Sequence, residues 1–288
     1  MTSGSAVIES GRAKTAYRLR GDPAAANLLL IFGGFHFARN CDRFFDALAA
    51  ELGAGWALAS YDYWGRGDSG APDARYDAAL YLEQVDALLD AVGLAARRVV
   101  VLGYSFGGAV ATHFTARHPE RVRALVLSGA WGAWDPFPAA ARIPCKLGLG
   151  GALMRFWWSS TRRAIIEGFA DRAAAPAYAD EMLRVERAIV ARDRRGFERA
   201  IVSTLRDFPT DTRRLVVENG RHDRPVLLVW GEHDNVSPIA GARAIHAAMP
   251  RSELIVLAGS HNDLWLVPPL AAELRGYFTR FLRALPPG

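Results

Sequence analysis

The feature that most constrains this fold is an alternation of short apolar runs with helical patterns along most of the chain. The sequence predicts buried strands at 28–32, 56–61, 99–102, 122–127, 226–230 and 254–257. In most segments between them, apolar residues recur at the spacing of one helix face. Strands that are apolar on both faces need helices on each side. We therefore expect an α/β fold with a mostly parallel sheet, helices on both faces, and an antiparallel edge at 6–8 and 17–19.

The alternation stops between residues 130 and 224. Helical patterns follow one another there without a strand between them, at 160–170, 176–191 and 197–208. The sequence therefore predicts a core domain made of residues 1–129 and 225–288, with residues 130–224 inserted as a helical cap or lid. Because the insertion follows the carboxyl end of a strand, it should lie over the crevice in which such sheets bind ligands.

The composition is that of a soluble globular protein, with 51% hydrophobic and 23% charged residues. The net charge is +5, but basic and acidic residues alternate, as in Arg192-Asp193-Arg194. Such alternation is typical of a solvated helix face and unlike the continuous basic patch of a nucleic-acid-binding surface. No run reaches the roughly 18 apolar residues of a membrane span. We expect a small-molecule substrate, no nucleic-acid partner and no membrane span; the sequence leaves the oligomeric state open.

The amino-terminal residues and the cysteines point to a cytoplasmic protein. Residues 1–10 lack the basic flank and apolar core of a secretory signal. Cys41 and Cys145 form no CxxC pair, so we expect two reduced thiols that fill space. The histidines lack HExxH or other metal-ligand spacing, and no GxGxxG motif follows a strand. We therefore expect neither a metal nor a cofactor.

The most specific motif is a strand-to-helix turn, GYSFG, at residues 103–107. A turn this sharp strains the backbone of Ser105 and leaves no room for side chains at the flanking glycines. It places the hydroxyl of Ser105 at the amino end of a helix, where N–H groups and the helix dipole favour negative charge. A capping serine would also fit this position, but the strand–turn–helix context favours a nucleophile.

A serine hydroxyl needs a base to remove its proton, and His261 is the best placed of the seven histidines. It follows the strand at 254–257 and should lie at the same edge of the sheet as Ser105. His36, in the loop after the strand at 28–32, is the alternative but is better suited to lining the site. We therefore expect His261 to be the general base.

The base in turn needs a carboxylate that fixes its tautomer and stabilises its charged form. Asp234 directly follows the strand at 226–230 and lies 27 residues before His261, enough for one helix and one strand. Asp135, after the strand at 122–127, and Asp263, close to His261 in sequence, are the alternatives. We expect Asp234 to orient His261, because the two residues then lie on adjacent loops.

Two backbone N–H groups should bind the oxyanion of a tetrahedral intermediate. Phe106, directly after Ser105, would supply one at the start of the helix. The other should come from the loop after the strand at 28–32, where Gly33 and Gly34 let the backbone approach the site. We therefore expect Phe35 and Phe106 to form the oxyanion hole.

Together these residues resemble the α/β-hydrolase superfamily. Ser105, Asp234 and His261 occur in the family's order, and residues 62–69, DYWGRGDS, look like its glycine-rich loop after the fourth strand. The resemblance covers nearly the whole chain and implies a Ser-His-Asp triad without a cofactor. Two glycines, at 33–34, replace the family's usual His-Gly. A serine nucleophile argues against the dehalogenases and epoxide hydrolases of this fold, which carry aspartate there.

Aromatic residues are concentrated around the predicted crevice. We expect the substrate pocket to be lined by Gly34, His36, Trp64, Trp131, Trp134, Trp157 and Trp265. Packing inside the cap would explain part of this clustering, but ligand pockets are also lined mainly by apolar and aromatic side chains. The sequence therefore indicates an apolar or aromatic substrate.

The expected function is that of a cofactor-free, esterase-like serine hydrolase. It would cleave a carboxylic ester, lactone or thioester with an apolar or aromatic acyl group, through an acyl-enzyme on Ser105. One alternative is a lyase, cyclase or C–C bond hydrolase that uses the same triad. Another is a non-catalytic receptor whose cap closes on a ligand. Both remain open at this point, because a fold constrains the reaction class poorly.

Overall fold

Eight strands form one sheet in the computed structural model, which describes residues 3–35, 41–134, 138–169, 175–209 and 211–286. The side chains of residues 3, 155, 157–159, 161, 164 and 189 are outside this description. The strands are β1 (Ser3–Ser10), β2 (Ala13–Arg20), β3 (Asn27–Phe32), β4 (Trp56–Tyr61), β5 (Val99–Tyr104), β6 (Val122–Ser128), β7 (Val226–Gly231) and β8 (Ser252–Leu257).

The strand order is β1-β2-β4-β3-β5-β6-β7-β8, and only the pairs β1–β2 and β2–β4 are antiparallel. The mostly parallel sheet with an antiparallel edge is thus confirmed. The edge strands are longer than predicted, since eight residues of β1 pair with eight of β2. Polar residues along both strands hid this length, because an edge strand needs no continuous apolar run.

Helices pack on both faces of the sheet. They are α1 (Asp42–Leu52), α2 (Ala78–Ala91), α3 (Gly107–Arg117), α4 (Ala139–Lys146), α5 (Gly150–Glu167), α6 (Ala175–Val190), α7 (Arg194–Asp207), α8 (Arg213–Gly220), α9 (Ile239–Ala248), α10 (Asp263–Leu266) and α11 (Pro268–Ala284). Along β3, Leu30 and Phe32 face a core shared with α2 and α3, whereas Leu29 and Ile31 face a core shared with α1 and α11. β3 therefore separates two cores, as its unbroken apolar run requires.

Four helices, α4 to α7, lie between β6 and α8. The next helix, α8, packs instead on α3 and α9 of the core. Asn219 of α8 donates from Nδ2 to the Thr112 carbonyl of α3 at 3.1 Å. A Cβ atom on Gly220 would lie 2.2 Å from the Ala248 carbonyl of α9. We therefore propose that the cap ends before α8, and not at residue 224 as the sequence predicts, because α8 is the crossover helix that leads into β7.

The two cysteines are free and buried, which confirms the prediction of reduced, space-filling thiols. Burial raises the pKa of the Cys41 thiol to about 12, so this group stays protonated. Within the described part of the chain, no helix combines the length and the hydropathy that crossing a membrane would require.

Candidate active site

The turn between β5 and α3 holds Ser105 in a strained conformation. Its φ is 52°, and among the described residues it is the only non-glycine residue in the left-handed region. Such a conformation costs on the order of 1–3 kcal/mol and persists only where the surroundings impose it. The Ser105 amide donates to the Ser128 carbonyl at 3.1 Å, and the Ser105 carbonyl accepts from Gly108 and Trp131 at 2.9 Å each. The backbone of the turn is therefore held from both neighbouring segments.

The glycines around Ser105 permit contacts that no other residue would allow. A Cβ atom on Gly103 would lie 2.5 Å from the Gly107 carbonyl oxygen. A Cβ atom on Gly107 would lie 2.1 Å from the Phe32 carbonyl oxygen. Because these obstacles are backbone atoms, they cannot move aside as a flexible side chain would. The GYSFG motif thus has the steric role that the sequence predicts for its glycines.

The imidazole of His261 lies between the other two predicted residues. Its Nε2 is 3.0 Å from Ser105 Oγ, and its Nδ1 is 2.8 Å from Asp234 Oδ2. The Asp234 side chain is fully buried, and its Oδ1 accepts from the amides of Val236 at 2.9 Å and Ser237 at 2.7 Å. With Asp234 held as an acceptor, the His261 Nδ1 carries the proton and Nε2 faces the serine hydroxyl.

The three side chains come from the carboxyl ends of β5, β7 and β8, and the chain leaving β6 passes directly beside them. Gly129 has a φ of 50°, and a Cβ atom there would lie 3.1 Å from both Asp234 Oδ2 and His261 Nδ1. Asp263, an alternative acid, instead accepts from the Ser260 amide at 2.9 Å. The geometry therefore pairs His261 with Asp234.

Phe35 and Phe106 lie next to each other beside Ser105. Their ring centroids are 5.3 Å apart, and the Phe35 ring also contacts that of Trp131 at 5.4 Å. A Cβ atom on Gly34 would lie 3.7 Å from Ser105 Cβ, so the Gly34 backbone passes close to the serine. The two residues predicted to bind an oxyanion thus belong to segments that pack together around Ser105.

Comparison with known proteins identifies the family. The profile of the family described as "Serine aminopeptidase, S33" matches residues 22–261, a span that contains Ser105 and Asp234 and ends at His261. The chain belongs to this family of α/β hydrolases. Although the family is named after an aminopeptidase, the proteins similar to this α/β hydrolase include enzymes with other substrates.

The similar proteins include one of unknown function and two named hydrolases. An uncharacterized protein of Mycobacterium tuberculosis is 27% identical over 87% of this chain and 74% of its own length. A pimeloyl-[acyl-carrier protein] methyl ester esterase of Neisseria meningitidis is 29% identical over 74% of this chain and 78% of its own length. A 2-hydroxymuconate semialdehyde hydrolase of Pseudomonas putida is 30% identical over 68% of this chain and 66% of its own length.

Solved structures agree with this α/β-hydrolase assignment over nearly the whole chain. A hydrolase from Pseudomonas aeruginosa is 25% identical, with a TM-score of 0.77, covering 98% of this chain and 99% of the other. A 2-hydroxy-6-oxo-6-phenylhexa-2,4-dienoate hydrolase from Rhodococcus is 21% identical, with a TM-score of 0.74, covering 96% and 99%. The second likeness shows the shared fold.

Two of the tryptophans predicted to line the pocket of the α/β hydrolase lie in the core instead. Trp64 is 1% exposed, and its ring packs near Gly11 in the turn between β1 and β2. Trp265 is 8% exposed and packs on the rings of Phe44 and Tyr104. The sequence places both residues in loops after strands, but a loop position does not determine which way a side chain turns.

Trp131 and Trp134 line a cavity of about 260 Å³ beside the loop that carries Asp234. Val236 and Ile245 contribute aliphatic surface to the same cavity. Trp131 also donates its amide to the Ser105 carbonyl, so one residue of the cavity wall is hydrogen-bonded to the turn that carries Ser105. Three other predicted positions, His36, the side chain of Trp157 and the alternative acid Asp135, lie outside the described residues.

The end of helix α5 contacts the loops that carry Asp234 and His261. The carbonyl groups at the end of α5 accept hydrogen bonds from asparagine side chains: Asn235 Nδ2 donates to Glu167 at 2.7 Å, and Asn262 Nδ2 donates to Ile165 at 3.2 Å. Each asparagine directly follows a residue of the proposed triad. Sequence reasoning missed these contacts because a helix end and two distant loops share no sequence signal.

A buried arginine is the other feature that sequence reasoning missed. Arg66 is 1% exposed and donates from Nε to the Phe35 carbonyl at 2.7 Å. An arginine between two glycines of a loop normally points to solvent, and nothing local in the sequence predicts its burial. The available signal was that the surrounding positions 63, 64 and 76 are aromatic, which supplies faces on which a guanidinium stacks.

Proposed function

We propose that this chain is a serine hydrolase that cleaves a carboxylic ester, lactone or thioester with an apolar or aromatic acyl group. The observation that carries the proposal is the position of the His261 imidazole, 3.0 Å from Ser105 Oγ and 2.8 Å from Asp234 Oδ2. A serine becomes a nucleophile when an oriented base can take its proton. The family membership supports the same reaction class.

The first half of the reaction forms an acyl-enzyme. Ser105 Oγ attacks the substrate carbonyl while His261 Nε2 takes the hydroxyl proton, and the carbonyl oxygen becomes an oxyanion. His261 then gives this proton to the leaving alcohol or thiol as the C–O or C–S bond breaks. Asp234, held by two amides, stabilises the imidazolium through Nδ1. In the second half, His261 removes a proton from water, and the resulting attack releases the carboxylic acid and restores Ser105.

Phe35 and Phe106 are the proposed donors to the oxyanion. Phe106 begins the turn into α3 with φ −54° and ψ −33°, so its amide belongs to the amino end of the helix. Helix amino ends favour negative charge, and a single donor of this kind contributes on the order of 10²–10³-fold to kcat. The contact between the Phe35 and Phe106 rings supports a common role for the two segments.

The proposed acyl site is the apolar cavity beside Trp131 and Trp134. Its volume of about 260 Å³ suits a small acyl or aryl group better than a long lipid chain. The esterase relative from Neisseria acts on a methyl ester, which supports ester hydrolysis as the reaction. We therefore expect short and aromatic esters to be better substrates than long-chain ones.

Turnover of p-nitrophenyl esters and labelling by a fluorophosphonate test the proposal. We expect labelling of the wild type at Ser105 and a loss of about 10⁴-fold or more in kcat for Ser105→Ala, because the nucleophile and its base act as a unit. Ser252→Ala is the matched control. Ser252 Oγ also lies 2.7 Å from a histidine, His246 Nδ1, but its hydroxyl donates to the Met249 carbonyl at the opposite edge of the sheet.

Ser252→Ala should be labelled and should turn over esters like the wild type. An unlabelled wild type with no ester turnover, or a Ser105→Ala variant with full turnover, would contradict the proposal.

A second candidate, C–C bond hydrolysis, is favoured by the 30% identity to the Pseudomonas putida 2-hydroxymuconate semialdehyde hydrolase. Such a reaction uses water to cleave a carbon–carbon bond next to a ketone, and the same oxyanion and base would serve it. Measuring kcat/KM for a 2-hydroxy-6-oxo-dienoate beside p-nitrophenyl esters separates the two. A ratio above about 10² in favour of the dienoate would assign the chain to C–C hydrolysis.

A further inference from the structure

The guanidinium of Arg66 connects the proposed oxyanion loop to the cap. We propose that Arg66 is a positioning residue for the oxyanion hole. It holds the Phe35 segment in place, and the position of that segment therefore depends on the packing of α7 against the loop that carries Arg66. The inference rests on the proposed function above, since it assigns a role to Phe35 in the same reaction.

Three groups in different segments accept hydrogen bonds from Arg66. Its Nε donates to the Phe35 carbonyl at 2.7 Å, and one terminal nitrogen donates to the Thr204 hydroxyl of α7 at 3.1 Å. The other terminal nitrogen is 3.4 Å from the Trp64 carbonyl of its own loop. Because the guanidinium is rigid and planar, the directions of these bonds are fixed relative to one another. A shift of α7 or of the loop therefore moves the Phe35 carbonyl.

Aromatic rings surround the charge of Arg66, where a carboxylate would be expected. Its carbon Cζ lies 5.2 Å from the Phe35 ring centroid, 5.6 Å from Tyr81, 5.9 Å from Tyr63 and 6.0 Å from Phe106. In the described part of the chain, no carboxylate lies within salt-bridge distance of this arginine.

The tyrosines beside Arg66 do not supply a negative charge. Burial raises the pKa of Tyr63 well above its ordinary value, so that phenol stays neutral. A buried cation held only by neutral groups is costly to desolvate. Two of the four rings belong to the residues proposed to form the oxyanion hole, so Arg66 also fixes the packing of those residues.

The cap side of this connection is also closely fitted. The Thr204 hydroxyl donates to the Ala200 carbonyl at 2.7 Å and accepts from Arg66 and, at 2.7 Å, from the Tyr81 hydroxyl, which uses its full hydrogen-bonding capacity. One turn earlier on α7, Ala200 lies against the same loop, since a Cβ atom on Gly65 would be 2.3 Å from Ala200 Cβ. The loop can take this position only while α7 is seated on it.

Three variants test the role of Arg66. Arg66→Met removes the donors and keeps most of the volume, Arg66→Lys keeps a charge but loses the planar fork, and Thr204→Val removes the acceptor on α7. We expect kcat for p-nitrophenyl esters to fall about 10²-fold in Arg66→Met, with KM changed less than about threefold, because the lost alignment matters most in the transition state. Arg66→Lys should lose about tenfold and Thr204→Val less.

A trifluoromethyl ketone inhibitor provides a readout that a merely structural role would not move. Its hemiketal adduct with Ser105 carries an oxyanion, as the tetrahedral intermediate does. The affinity of the enzyme for this inhibitor should therefore fall in parallel with kcat/KM across the variants. Arg20→Met is the matched control. Arg20 is also buried and lies over a phenylalanine ring, Phe45, at 5.9 Å, but it pairs with Asp42 and Asp46 away from the triad. The Arg20→Met variant should have a lower melting temperature, but the kcat of its folded fraction should be that of the wild type.

The outcomes separate the two proposals. The role of Arg66 would be overturned if folded Arg66→Met had the kcat and the ketone affinity of the wild type. It would also be overturned if kcat fell only in proportion to the folded fraction, as expected for Arg20→Met. In both cases, labelling of Ser105 would still support the proposed hydrolase function. If Arg66→Met does not fold, unchanged kcat in both Arg66→Lys and Thr204→Val overturns it. A wild type that the fluorophosphonate does not label would overturn the proposed function and this inference with it.

Discussion

The nucleophile turn and the inserted helices are held in place in different ways. Around Ser105, backbone lies directly on backbone: a Cβ atom on Gly107 would lie 2.1 Å from the Phe32 carbonyl oxygen, and one on Gly108 would lie 2.8 Å from Ala130 Cα. The end of α5, in contrast, is held mainly by hydrogen bonds from the side chains of Asn235 and Asn262, with one backbone hydrogen bond from the Asn262 amide to the Gly168 carbonyl.

The inserted helices also expose more apolar side chains to solvent than the turn does. Large apolar side chains of the first inserted helices and their connection are open to solvent: Ile143 is 52% exposed, Leu147 68%, Leu149 55% and Phe156 66%. The inner strands, β3 to β7, and the turn that carries Ser105 bury theirs. Side-chain contacts can be exchanged one at a time, whereas backbone contacts cannot, so the difference predicts that the turn tolerates almost no substitution and that the inserted helices tolerate many.

The largest effect is expected for Gly107→Ala. The new methyl group would overlap the carbonyl oxygens of Phe32 and Gly33, at 2.1 and 2.4 Å, and neither can move without distorting β3. We expect a loss of at least about 3 kcal/mol in the free energy of unfolding, measured by urea denaturation followed by circular dichroism.

Gly276→Ala is the control for this substitution. Gly276 lies inside α11 with open space around its Cβ position. Alanine there should raise the free energy of unfolding by about 0.5–1 kcal/mol, because it is the better helix former. Equal unfolding midpoints for the two variants would contradict the steric account of the turn.

An intermediate effect is expected when the end of α5 is released from the loops that carry Asp234 and His261. Asn235→Ala and Asn262→Ala each remove one side-chain hydrogen bond, worth about 1 kcal/mol. If the inserted helices cover the substrate, each variant should raise KM about fivefold, with a smaller change in kcat. Steady-state kinetics with a p-nitrophenyl ester and limited proteolysis measure this.

Glu181→Ala is the control for the asparagine variants. It breaks an exposed ion pair with Arg184 within α6, and surface pairs of this kind contribute little. Kinetics and proteolysis of this variant should match those of the wild type. Asparagine variants that bind substrate and resist protease like the wild type would show that α5 is held by other contacts.

The smallest effect concerns pH and the contact between α3 and the residues that follow α7. His113 of α3 packs against the Phe208 ring at 5.4 Å, and burial lowers its pKa below the ordinary value of 6.5. Above that value both the folded and the unfolded state are neutral at this residue. As the pH falls below about 6.5, the unfolded state binds the proton first, so stability is lost on acidification.

The free energy of unfolding should therefore fall from pH 7 to pH 5, and by less in His113→Gln than in the wild type. Unfolding curves at pH 8, where the histidine is neutral in both states, give the baseline difference between the two proteins. If the free energy of unfolding fell with pH equally steeply in both proteins below pH 6.5, this would contradict the burial of the His113 imidazole.

The core was more predictable from the sequence than the inserted region, because burial restricts which residues the core can contain. The strands β3 to β8 were predicted to within two residues at each end, and five of them, β3 to β7, are inner strands whose burial on both faces requires a continuous apolar run. The three residues proposed as the triad were paired correctly in space, since parallel strands bring their carboxyl ends to one edge.

The inserted region offered weaker patterns. Helix α4 contains Pro144 and exposes Ile143, so its sequence shows no continuous apolar face, and it was not predicted. The burial of Arg66, Trp64 and Trp265 was also missed. A side chain's direction in a loop is decided by neighbours that are distant in sequence, and in each of these cases those neighbours are aromatic rings or carbonyl groups.

The insertion between β6 and α8 has a consequence for protein engineering. Helices α4 to α7 enter and leave the fold at two junctions only, after Trp134 and after Phe208. Grafting another helical segment between these points would leave every strand and the turn that carries Ser105 untouched, and the contacts of Arg66, of the two asparagines and of the Tyr76 amide with Ser203 would be among those to rebuild. New substrate preferences can therefore be sought by segment exchange, with reactivity inherited from the recipient scaffold.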